Sequence, residues 1–174
     1  MSKNRTITYQ PAIENNRIEA IVTREIKASP RKIFPLACPV EELRWIPNWE
    51  YELMYSKSGV NETNCIFNEE QSGPHFFEKP LTTTWVTTIH DPENYRILFQ
   101  LNLSGKAVIR LKIEFREVGK EVSSCTWNMI FTALDEEANS MPTETIRMKM
   151  ELVMNFLAEA LKHYCETGEM LKYL

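Results

Sequence analysis

The chain has 174 residues, 43% of them hydrophobic, and carries 20 Lys+Arg against 24 Asp+Glu for a formal net charge of −4. That length suits one domain whose folding buries roughly 70% of the unfolded surface, without metal or disulfide staples. A mildly acidic balance supplies no positive field for a phosphate backbone, so no nucleic-acid partner is expected. The longest apolar run, Ile33 to Val40, holds two prolines and falls far short of the ~20 residues that cross a bilayer, so no transmembrane segment is expected. The first residues lack the apolar stretch of a secretory signal, which points to the cytoplasm.

Residues 1–16 are polar and without period and read as a loose N-terminal segment. From Arg17 to Lys27, Ile18, Ala20, Val22 and Ile26 alternate with polar neighbours, which predicts a half-buried strand. Ser29-Pro30 then supplies a cap and a first-turn proline for a short helix through Ile33, Phe34 and Leu36. Pro39 opens a second one, Val40 to Trp45, with Glu41 and Glu42 in its first turn and Pro47 as its stop.

The period then changes to two. Trp49, Tyr51, Leu53 and Tyr55 alternate with polar or flexible residues, and Ser58-Gly59 turns the chain into Thr63–Phe67, which predicts a hairpin. Residues 68–81 have no period and read as the longest loop; its Phe76-Phe77 pair, flanked by Pro74 and Pro80, suits a pocket lid or a pin of the loop to the sheet. Four further strands, 82–90, 95–103, 106–117 and 121–134, joined by short turns, form an antiparallel meander. From Asn139 the period becomes 3.6, with Ile146, Met150, Val153, Leu157, Leu161 and Tyr164 on one stripe and Gly168 as the stop. The domain therefore spans 17–168, followed by a 169–174 tail.

Chemical motifs are sparse. Cys38, Cys65, Cys125 and Cys165 are dispersed and read as small buried hydrophobes. His75, His90 and His163 fall in separate elements without ligand spacing, so no metal is expected, and no phosphate loop or other cofactor motif is present, so no cofactor is expected. The catalytic candidates are His90 beside Asp91, Glu78 in the long loop, and Tyr51 and Tyr95; they form no constellation. The adjacent acids Glu41-Glu42 and Glu69-Glu70 read as solvated cap and loop charges.

The inward strand positions collect large aromatics: Trp49, Tyr51, Tyr55, Phe67, Trp85, Tyr95, Phe99, Phe115, Trp127 and Phe131. Met129 joins them, and the helix adds Met148, Met150 and Met154. Such residues fill a solid core or surround an apolar ligand with a few polar anchors. In the second case the ligand-binding set is Trp49, Tyr51, Phe67, Trp85, Phe99, Trp127, Met129, Met150 and Met154.

The opening strand leading into Ser29-Pro30-Arg31-Lys32-Ile33-Phe34, the segment Trp45-Ile46-Pro47-Asn48-Trp49, the Asp91-Pro92 turn and the long terminal helix carry a resemblance over residues 17–166. Together they resemble the START-like helix-grip (SRPBCC) superfamily, which includes plant pathogenesis-related allergens, polyketide cyclases and lipid-transfer domains. The resemblance implies an α+β fold, a curved seven-stranded antiparallel sheet wrapped round a long C-terminal helix with two short helices after the first strand. It implies a deep apolar cavity between sheet and helix and no shared catalytic residue. The expected function is binding or carriage of a small apolar or aromatic molecule. A polyketide cyclase or dehydratase using the same cavity is the alternative, and a protein-interaction module of the chaperone-ATPase activator type a second one. The mixed charges of Arg110, Lys112, Glu114 and Arg116 oppose the last. Lys27, Glu50 and Lys57 near possible sheet edges favour a monomer or weak homodimer.

Overall fold

The computed structural model describes residues 16–70, 76–79 and 81–172. Strand β1 (Arg17–Ile26) buries Ile18, Ala20, Val22 and Ile26 and leaves the intervening residues at or near the surface, as a strand with one wet face must. Helix α1 (Pro30–Ile33) runs into a 3-10 turn, Phe34–Leu36, and α2 is Pro39–Glu42. Both start on a proline, whose fixed φ suits the first helical position and whose missing N–H costs nothing there. Ser29 occupies the cap position of α1 with extended backbone, but its hydroxyl does not bond the first turn. Helix α2 ends at Glu42 rather than Trp45. Past it, the Trp45 and Trp49 indole N–H groups turn back onto the carbonyls of Leu36 (3.0 Å) and Pro39 (2.8 Å), and a continued helix would not place them there.

The remaining strands are β2 (Tyr51–Tyr55), β3 (Ile66–Glu70), β4 (Thr82–Asp91), β5 (Arg96–Leu103), β6 (Ala107–Gly119) and β7 (Val122–Ala133). They form one antiparallel seven-stranded sheet in the order β1-β7-β6-β5-β4-β3-β2. The meander β2 to β7 is sequential, and β1 closes on its far side against β7 in continuous register from Arg17↔Thr132 to Ile26↔Ser123. Along β6, Ala107, Ile109, Leu111, Ile113 and Phe115 are buried in strict alternation.

Two helices follow β7. Helix α3 (Glu136–Ser140), absent from the sequence expectation, is capped by the Asp135 carboxylate, which accepts from the Ala138 N–H at 2.8 Å. Helix α4 (Thr143–Thr167, 25 residues) ends at Gly168, whose φ of 77° is the left-handed cap geometry that glycine adopts without Cβ strain. It lies in the curve of the sheet and buries Ile146, Met150, Met154, Ala158 and Leu161. Polar contacts seat it on β1: Arg24 donates to Glu159 Oε1 (2.7 Å), and Arg147 donates to the Glu19 carbonyl (2.7 Å).

The structure corrects several expectations. Tyr55 is 56% exposed and Leu53 36%, because β2 is an edge strand that pairs only with β3. Trp49 precedes β2 instead of opening it. Met148 is 62% exposed because it lies on the helix face opposite Met150 and Met154. Strand β3 continues to Glu70, so the loop begins later than expected. Asn16 is ordered against the body, its N–H bonding Asn139 Oδ1 at 2.7 Å. Cys38, Cys65 and Cys125 are buried and Cys165 half-buried. The rest of the N-terminal segment, Pro74, His75 and Pro80 lie outside the described residues. Among the described residues no helix is long and apolar enough to cross a membrane.

Candidate ligand cavity

Between the concave face of the sheet and α4 lies a cavity of about 130 Å³. The sheet supplies Phe99, Leu101 and Leu103 from β5, Ile109, Leu111 and Ile113 from β6, and Trp127 and Met129 from β7. Helix α4 contributes Val153, Phe156 and Leu157, the segment after α2 contributes Ile46 to Trp49, and Phe76 closes one side. The volume is close to that of apolar cavities of about 150 Å³ that take up benzene, and below the several hundred Å³ of sites for drug-sized ligands. In this state it fits one ring.

Of the nine residues expected to bind ligand, Trp49, Trp85, Phe99, Trp127 and Met129 line this space. Tyr51 and Phe67 do not; they form an aromatic cluster behind it, Phe67 stacked on Trp85 at 5.3 Å and edge-on to Tyr51 at 6.4 Å between ring centroids. Met150 and Met154 are fully buried outside the lining. The Trp49 N–H is already committed to Pro39, so that residue offers the cavity only its ring.

The catalytic candidates lie elsewhere. His90 packs on Phe34 at 4.9 Å and burial holds its pKa below the ordinary value. Tyr95, at φ 50°, sits edge-on to the same Phe34. Glu78 is exposed. None of the three lines the cavity. Phe76 and Phe77 face inward, 4% and 5% exposed, with Phe76 stacked 5.7 Å from Phe131. The Phe76 carbonyl accepts from Lys149 Nζ of α4 at 2.8 Å.

Two carboxyls missing from the expected set stand in the wall: Glu42 from α2 and Glu69 from β3. Read from sequence as solvated cap and loop charges, one member of each pair is instead half-buried in the cavity wall. Burial, reinforced by the neighbouring Glu69 charge, pushes the Glu42 carboxyl up to about 8. Burial pushes Glu69 up to about 7, against the Trp85 indole N–H, which donates to its Oε2 at 2.8 Å and favours the ionised form. Glu69 stands directly opposite Thr83 in the β3–β4 register. Thr83, 1% exposed, also lines the cavity, and its hydroxyl has no hydrogen-bond partner among the described residues. The Trp127 N–H leans on the weakly accepting Cys125 sulfur without forming a geometrically sound hydrogen bond.

Both acids were discoverable. Extending the alternation of Cys65 and Phe67 by one step puts Glu69 on the inner face. Glu42 lies four residues from both Cys38 and Ile46, which are buried, so a helical face shared with them points inward. Among the described residues no group of three His, Cys, Asp or Glu side chains could hold a metal ion.

No protein-family model and no curated protein matches this sequence. Solved structures do match in three dimensions. Norcoclaurine synthase from Thalictrum flavum, in complex with dopamine and hydroxybenzaldehyde, aligns with a TM-score of 0.64 at 13% identity, over 98% of this chain and 100% of that one. The Zhui aromatase/cyclase from Streptomyces sp. R1128 gives 0.62 at 11% identity, over 89% and 99%. A START superfamily protein from Mycobacterium smegmatis gives 0.64 at 12% identity, over 86% and 98%. At these identities the likeness establishes the fold: this chain has the START-like helix-grip fold that the sequence resemblance implied.

Proposed function

We propose that this protein binds a small apolar or aromatic molecule in the cavity beneath α4. The observation that carries the reading is the cavity itself. Packed interiors leave few voids larger than a water molecule, yet this one keeps a ring-sized space among Phe99, Leu111, Trp127 and Phe156. The structural neighbours add support, since one of them holds dopamine and hydroxybenzaldehyde on the same fold. Within this reading the protein works in the cytoplasm as a monomer or weak homodimer, without nucleic acid.

Native mass spectrometry of the purified protein, followed by denaturing extraction, tests the proposal together with a titration by propylbenzene read through tryptophan fluorescence. A co-purifying apolar compound, or saturable quenching that Leu111→Trp abolishes by filling the space, is the expected result. A clean apo mass together with no saturable response overturns it.

A second reading has its own observation. Two carboxyls poised near neutrality in an apolar cavity are what proton transfer to a bound substrate requires. In a cyclase or dehydratase of this kind, Glu42 and Glu69 would move the proton while the aromatic wall folds the substrate. Turnover separates the two: an enzyme converts the extracted compound and loses that conversion in Glu69→Gln, whereas a carrier returns the compound unchanged.

A further inference from the structure

An apolar ligand alone does not account for one end of the cavity. Glu42 and Glu69 both line the cavity as half-buried side chains, and the charge of Glu69 raises the Glu42 pKa. Among the described residues neither is in an ion pair. Opposite Glu69 in the β3–β4 register, the Thr83 hydroxyl is buried without a hydrogen-bond partner among the described residues, an unfavourable state that a ligand or water relieves. A hydrocarbon in the cavity would offer no partner to the half-buried Glu42 and the buried Thr83 hydroxyl, and none to Glu69 beyond its bond from Trp85.

We propose, resting on the cavity-binding reading above, that the ligand carries a protonated amino group on a single apolar or aromatic ring, with Glu42, Glu69 and Thr83 as the amine's receptor. An ammonium has three N–H donors and no acceptor. The subsite presents three oxygen-bearing groups, two of them anionic when the cation is present. One positive charge between two carboxylates replaces their repulsion with attraction, in surroundings where water screens little. The Trp85 ring, held next to Glu69 by its own hydrogen bond, adds an aromatic face of the kind cations favour. The ring of the ligand then occupies the apolar space towards Leu111 and Trp127.

The experiment compares phenethylamine with propylbenzene, which replaces the ammonium by a methyl group at nearly the same shape. Both are titrated by calorimetry into the full-length protein and its Glu42→Gln, Glu69→Gln and Thr83→Val variants at about pH 8, where an aliphatic amine is still protonated. Phenethylamine is expected to bind at least about tenfold more tightly than propylbenzene. Each Gln variant should erase most of that preference and leave propylbenzene affinity within about twofold, and Thr83→Val should reduce the preference in part. Thr83→Val changes no charge and keeps the β-branched shape, so it reports even where a Gln variant fails to fold. Equal binding of the two probes, or a preference that survives both Gln substitutions, overturns the amine assignment and leaves the apolar cavity standing. Binding of neither probe overturns both.

Discussion

The Trp85 indole N–H donates to Glu69 Oε2 at 2.8 Å, diagonally across the β3–β4 pair, so the largest side chain of β4 fixes the position of an acid inside the cavity. The bond favours the carboxylate, while burial favours the acid and wins, leaving Glu69 at about 7. Trp85→Phe keeps the ring and removes the donor. Carboxyl ¹³C NMR titration should show the protein's two cavity acids changing ionisation near 7 and 8 as a coupled pair, with the Glu69 midpoint moving upward in the variant. Two midpoints in the ordinary carboxylate range would refute the assignment.

Stability should fall as pH rises because of this pair. Both folded pKa values lie above the ordinary glutamate value of 4.5, so between about 4.5 and 8 the native state holds protons that the unfolded chain has released, and deprotonation favours unfolding. Tyr51 stands beside Glu42, its own phenol pushed up chiefly by burial, while α4 presents Val153, Phe156 and Leu157 to the cavity. Glu42→Gln removes a charge that the site solvates poorly. Its gain over the parent in urea denaturation should be near zero at about pH 5 and about 2 kcal/mol at about pH 8. A gain that does not change with pH would rule this out.

Asn61 is buried at 4% exposure and ties three segments together. Its Oδ1 accepts from the Thr87 hydroxyl at 2.6 Å and its Nδ2 donates to the Ala37 carbonyl at 3.2 Å. Asn61→Ala strands the Thr87 hydroxyl and the Ala37 carbonyl and should cost about 2–3 kcal/mol. Adding Thr87→Val removes one orphan, so the double variant should lose less than the sum of the singles, a coupling that a double-mutant cycle measures directly. Simple additivity would show that the bond carries little.

Phe76 sets the size of the cavity from the loop side. Phe76→Ala removes a ring stacked on Phe131 and should destabilise by about 3 kcal/mol. The space it leaves should admit naphthalene, which the parent excludes, and fluorescence titration with that probe checks the point. Naphthalene binding equally to both proteins would mean that another element limits the space.

The sequence by itself determined the fold. The alternation from Arg17 to Ile26 and along Ala107–Phe115, the prolines that start α1 and α2, and the 3.6-residue stripe ending at Gly168 are local consequences of side-chain chemistry, and the described structure follows them closely. Several wall residues, Trp85, Phe99 and Trp127 among them, were legible for the same reason: an inward strand position next to apolar neighbours faces the interior wherever the strand is placed. What only the tertiary structure decided was which inward residues meet a void and which meet one another. Tyr51 and Phe67 back the wall while Trp85 forms it, a matter of strand order and sheet curvature that no local pattern encodes. The acid pair was decided there too. Glu42 on α2 and Glu69 on β3 are 27 positions apart, and each looks like an ordinary surface charge until the sheet curls and brings both to one cavity, where burial raises both and the Glu69 charge raises Glu42 further.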